Sequence, residues 1–217
     1  MSAILIPGKN SDQIAAFTTT MIAGLSTEEI AALTSAQAGW LTTAQIAALT
    51  TQQVGVLNSV QIAGLTTDSV GALETADLRA LKTSVIAALT TTQVRALDSA
   101  QLGALTSGQI GALSTSVIAN GLTSEQIVGL TTSQAAGLNS AQVAALSTDV
   151  LAALPTADLA ALATRALAGL SSAQIDALNS AQVVALTTAQ AGALTSAQIA
   201  GLTTDMVQAM ETADVKA

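Results

Sequence analysis

The most constraining feature of this chain is a period of eight. Leucine recurs at 25, 33, 41 and onward to 113, then, after one extra residue, at 122, 130 and onward to 202. Phe17 and Met210 hold the same slot near the ends, and Lys9 holds it in the first unit. Residues 1–8 therefore read as an N-terminal lead segment. Residues 9–217 read as a single array of 26 octapeptide repeats with one inserted residue between Leu113 and Leu122. Self-similarity at a short fixed period marks units that stack on their neighbours, not a conventional globular domain.

The unit "LTTAQIAA" at 41–48 shows the grammar. Leu41 is the anchor at position 1. Position 2 is loose and admits Glu74, Lys82, Pro155 and Ala163, whereas position 3, here Thr43, is Ser or Thr in every unit. Gln45 stands at position 5, Ile46 at position 6 and the small Ala48 at position 8. One long helix does not fit, because eight residues at 3.6 per turn rotate the apolar stripe by about 80° per unit. A flat strand does not fit either, since Leu41 and Ile46 have opposite parity and would face opposite sides. A β-solenoid is the alternative that survives, with a bend between them, although Ala and Gln suit strands poorly.

The pattern favours an all-α fold: a compact α-solenoid or superhelix of very short capped helices, one per 8-residue repeat. Two cap registers are open. Tolerance of Lys82, Pro155 and Ala163 at position 2 suggests an N-cap at position 3, while "TTAQ" also fits a capping box from position 2 to Gln, with Leu stapled to Ile. A helix of about 6 residues and 9 Å cannot stand alone in water, so Leu and Ile must form a buried seam and Ala or Gly at position 8 must admit a close neighbour. Trp40 fills one such small slot, in the unit where Ala38 replaces Ile, so volume is roughly conserved. Several of the non-Gln residues at position 5 (Met21, Ser69, Val85, Val117, Val150, Ala166) fall in alternate units, with Met206 the exception. That suggests two octads pairing as a small αα-hairpin.

Composition limits function. A formal charge of −8 offers no cationic surface for nucleic acid or an anionic membrane. A Thr/Ser pair interrupts each apolar stretch, so no membrane span is expected, and the first ten residues lack the basic and apolar regions of a signal peptide. The chain has no Cys, His or Tyr. Its many hydroxyls have no adjacent base, so no enzyme, cofactor or small-molecule substrate is indicated. The Gln series reads as satisfied hydrogen-bonding groups at helix starts. The sharpest candidate for a metal is a recurring carboxylate pair nine residues apart, Asp68/Asp77, Asp149/Asp158 and Asp205/Asp214, which could flank Ca²⁺. Each Asp also suits a first helical turn, where it favours the macrodipole, and no metal site is assigned. Regular Thr on a weakly charged scaffold raises a second function, an ice-binding surface.

The "ALTTAQIAALTTxQV" text resembles the low-complexity octapeptide tracts of large bacterial secreted or surface proteins of adhesin-like character. This resemblance implies a structural spacer or scaffold placed outside the cell or on its surface, and self-association, end to end or lateral, is a further expectation. A cytoplasmic location is the alternative, given the missing signal peptide. The last unit, "METADVKA", closes in phase without a polar capping repeat, which invites stacking of chain on chain.

Overall fold

The computed structural model describes residue 6 and residues 8–210. Among these residues there are 25 helices, from α1 (Ser11–Ala15) to α25 (Thr204–Ala209), and no strand. The β-solenoid alternative is thereby excluded. Each helix is four to seven residues long, and each of the first 25 octads makes one. The chain divides into two compact units, Met1–Leu113 and Ser114–Ala217.

The cap register is the same throughout. In α5 (Thr43–Ala47) the N-cap is Thr42, at position 2, with extended φ −72° and ψ 159°. The invariant Thr43 is the first helical residue. The cap reading based on position 3 is therefore corrected: helices beginning after Lys82, Pro155 and Ala163 start in the same register and go without a side-chain cap. At the other end, position 8 is helical in its dihedrals (Ala48, φ −89°, ψ −7°), and the following N–H, that of Leu49, bonds back to the Ile46 carbonyl at 3.1 Å. Two extended residues, a Leu and the next N-cap, then form the corner. Among the described residues the sole positive φ is that of Gly8 at 84°, so the corners need no left-handed residue. Glycine at position 8 serves close approach and not a left-handed C-cap.

Within each unit a helix packs against the third one along: α4 (Ser35–Gly39) on α7 (Ser59–Gly64), α6 (Thr51–Gly55) on α9 (Thr75–Ala80), and in the second unit α16 (Thr132–Gly137) on α19 (Thr156–Ala161). The two-octad αα-hairpin is thus overturned. Identical octads impose identical corners, and the same rotation repeated every eight residues winds a coil, whereas a hairpin needs two different corners in alternation. The α4–α7 contact shows why small residues are needed. A Cβ added at Gly64 would strike the Ser35 hydroxyl and come within 2.6 Å of the Ser35 carbonyl, and one added at Gly39 would lie 2.5 Å from the Gly64 carbonyl.

Three positions of the octad point inward along most of the array. Ile46, Val54, Ile62 and their equivalents at position 6 are buried as far as Ala191, while Ile199 and Val207 near the C-terminal end are exposed, and Leu41, Leu49 and Leu57 at position 1 are nearly buried. The expected seam is present, with Gln at position 5 as its third row. Ile6 in the lead segment belongs to the seam as well, being buried as Ile14 is. Trp40 is different: it ends α4 and is 38% exposed while Ala38 is fully buried, so the indole does not enter the core that Ala38 leaves. The inserted residue is absorbed by α14 (Thr115–Gly121), the longest helix, which opens the second unit.

Candidate functional site

The chemistry concentrated in this fold is the row of buried glutamines. Gln45 lies at the third helical position of α5. Its N–H donates to the Thr42 hydroxyl (3.3 Å) while its Oε1 accepts from the Thr42 N–H (2.9 Å), a reciprocal capping box. The remaining atom, Nε2, reaches one coil turn back and donates to the carbonyls of Ile14 (2.8 Å), Ala15 (3.3 Å) and Phe17 (2.8 Å). Gln53 repeats this on Ile22, Ala23 and Leu25, and Gln61 on Ile30, Ala31 and Leu33. Offsets of 31, 30 and 28 residues recur at Gln109 in the first unit and at Gln182 and Gln190 in the second. One turn of coil therefore takes between three and four octads. At the N-terminal end Gln37 bonds the carbonyls of Ile6 and Lys9, so the lead segment and the first octad each supply one acceptor.

A second regularity links cap and glutamine. Among the described residues, the four helices with no side-chain cap follow Glu74, Lys82, Pro155 and Ala163, and their third residues are Asp77, Val85, Asp158 and Ala166. Every helix that lacks the cap lacks Gln as well. At Pro155 the reason is direct: proline has no N–H to offer the Gln oxygen. Glu74, Lys82 and Ala163 keep theirs, so that explanation does not extend to them. Together with Ser69 and Val150, these replacements make three consecutive rows without Gln in each unit: Ser69, Asp77 and Val85, then Val150, Asp158 and Ala166. Ser69 keeps one long bond to the Leu41 carbonyl at 3.4 Å. Glu29, in the first turn, keeps the box through Oε2 (2.9 Å from the Ser26 N–H), but its Oε1 is buried without a partner.

The carboxylate pairs are split between two environments. Asp68, Asp149 and Asp205 are second helical residues and exposed. Asp77 and Asp158 are third residues and buried, occupying the Gln slot. Asp214 lies outside the described residues. No group of three or more His, Cys, Asp or Glu that could hold a metal ion forms among the described residues. No described helix is long and apolar enough to cross a membrane.

What sequence reasoning missed was the reach of the glutamine amide across the coil. Its signal was present in the coincidence of bare caps with absent Gln.

Very short capped helices, wound three to four per turn around a Leu/Ile seam and an amide ladder, define an α-solenoid repeat protein. Its repeat is that of the ALTTAQ repeat family, which matches residues 10–43, 40–67, 70–107, 86–115, 151–188 and 179–204. These matches span well over half of the chain, and the protein belongs to that family. No curated protein matches it.

Proposed function

We propose that the protein is a non-catalytic structural spacer or scaffold of adhesin-like character whose extent is set by its number of octads. The observation that supports this is how the polar groups are used. The Gln amides hold one coil turn to the next and the position 2 hydroxyls hold helix starts, so the recurring groups are consumed in building the array. An extracellular or cell-surface setting and end-to-end association belong to the same proposal, on the strength of the resemblance of the octad text. Small-angle scattering on the parent chain and on a variant lacking the four octads of residues 41–72 tests it. The spacer reading requires a shorter maximum dimension with unchanged helicity per residue, and an unchanged dimension would reject it. Light scattering across a concentration series tests association, which requires a mass that rises above the monomer.

A second reading, a hydroxyl-presenting surface such as one that binds ice, is favoured by one observation. Many position 3 hydroxyls, Thr43 among them, lie on exposed first helical residues outside the capping bonds, whereas those of Ser59, Ser124 and Ser172 donate to the carbonyls of Ser84, Asp149 and Ala197. Thermal hysteresis at micromolar protein would support it, and its absence would end it.

A further inference from the structure

We propose that Asp77 and Asp158 each hold a hard cation of the calcium type, one in each unit, in the carbonyl cradle that a Gln amide fills in other rows. Around Gln61 the carbonyl oxygens of Ile30, Ala31 and Leu33 stand 2.9, 3.3 and 2.7 Å from Nε2, so three oxygens converge on one electropositive atom. The offsets of 31, 30 and 28 residues that define this cradle lead from Asp77 to Ile46, Ala47 and Leu49, and from Asp158 to Ile127, Val128 and Leu130. As residues Asp77 and Asp158 are 2% and 4% exposed at the amide's slot, and neither carboxyl has an N–H to give.

No ion pair reaches either carboxylate among the described residues, and the caps before them, Glu74 and Pro155, make no side-chain bond. The neighbouring rows hold Ser69 and Val85, or Val150 and Ala166, so no adjacent amide can serve instead. A carboxylate in the amide's slot would face the cradle oxygens with no counter-charge, which is costly in a buried setting. Aspartate is one methylene shorter than glutamine, which leaves space between carboxylate and cradle. Three carbonyls and up to two carboxylate oxygens form an all-oxygen set that suits Ca²⁺ at 2.3–2.6 Å, with water completing its six to eight ligands. The stricter octahedron of Mg²⁺ fits less well. The ion would restore the tether between coil turns that these rows lose with their Gln. In this assignment the exposed Asp68, Asp149 and Asp205 take no part.

Isothermal titration of the full chain with Ca²⁺, after exhaustive dialysis against chelator, tests the assignment. The expected result is saturable uptake of two ions per chain with Kd on the order of 10⁻⁴–10⁻³ M and a melting temperature that rises with Ca²⁺. The double variant D77N/D158N is expected to lose both effects, and D68N/D149N to keep both. D77Q/D158Q places an amide back in the cradle, so it is expected to fold without the ion and to ignore it. No saturable uptake up to about 10 mM Ca²⁺, or equal uptake by parent and D77Q/D158Q, would overturn the proposal and leave the carboxylates as helix-start groups alone.

Discussion

The amide of Gln45 joins two structures that the chain separates by about thirty residues: the start of its own helix and the end of a helix one coil turn earlier. Both halves of the group are needed, because Oε1 is the acceptor of the box and Nε2 is the donor across the coil. Gln45→Ala removes the Oε1 bond of the box and the three Nε2 bonds across the coil, and leaves the Phe17 carbonyl without this partner in a part-buried place. The expected loss is about 2–3 kcal/mol, read from the denaturant midpoint, since a buried acceptor deprived of its donor costs about 1–3 kcal/mol alone. Gln45→Glu is the sharper comparison. It preserves shape and box, as Glu29 does in the first turn, but places a carboxylate oxygen against the carbonyls of Ile14, Ala15 and Phe17. It should therefore cost more than the alanine at neutral pH. A glutamate milder than alanine would mean that the box matters and the bond across the coil does not.

Each described helix has its N-cap at position 2 of its octad and its first helical residue at position 3, as Thr43–Ala47 does, a span too short to form without tertiary support. Caps matter more here than in a long helix, because nearly half of the backbone N–H groups are in the first turn. Thr42→Ala, which removes the side-chain acceptor of the Gln45 N–H, should destabilise by about 0.5–2 kcal/mol, whereas Thr43→Ala, on an exposed first residue, should stay within about 0.5 kcal/mol. The reverse order in thermal melts would restore the cap to position 3. This contrast also marks what the text of the octad revealed and what it concealed. Opposite parity of Leu41 and Ile46 ruled out a flat strand, and their spacing with a Thr before them was enough for a short helix with a buried seam. The cap position was hidden because a bare cap at Lys82, Pro155 or Ala163 looks like tolerance, and only the loss of Gln beside it exposes the shared register. The corner was hidden too. Two extended residues can turn the chain in several directions, and the direction is decided by contacts 24 to 31 residues away, beyond the range of any local pattern. The Asp pairs looked alike in sequence, yet one residue of shift along a helix start separates exposed Asp68 from buried Asp77.

Across a whole unit, stability should be a sum of near-identical increments, because each helix meets its neighbours in the coil and little else. The ladder makes this testable through phase. Deleting one complete octad, residues 41–48, brings residues 49–56 into their place. Gln53 then inherits the carbonyls of Ile14, Ala15 and Phe17, Leu49 succeeds Leu41 in the seam, and each later Gln meets an equivalent carbonyl trio. Deleting only residues 41–44 removes half as much chain but puts Gln45 where a Leu belongs. Across that junction it also shifts the 31, 30 and 28 residue offsets by four, setting amides against residues at the wrong positions. Rows whose reach spans the deletion lose both buried anchors and ladder bonds, each worth about 1–3 kcal/mol. Circular dichroism and chemical denaturation should therefore show the eight-residue deletion folded, with unchanged helicity per residue and a modest fall in midpoint. The four-residue deletion should lose helicity across the first unit. Equal tolerance of the two deletions would mean that the octads pack as loosely interchangeable hydrophobic beads, and that neither the identical corners nor the amide ladder sets the winding of the coil.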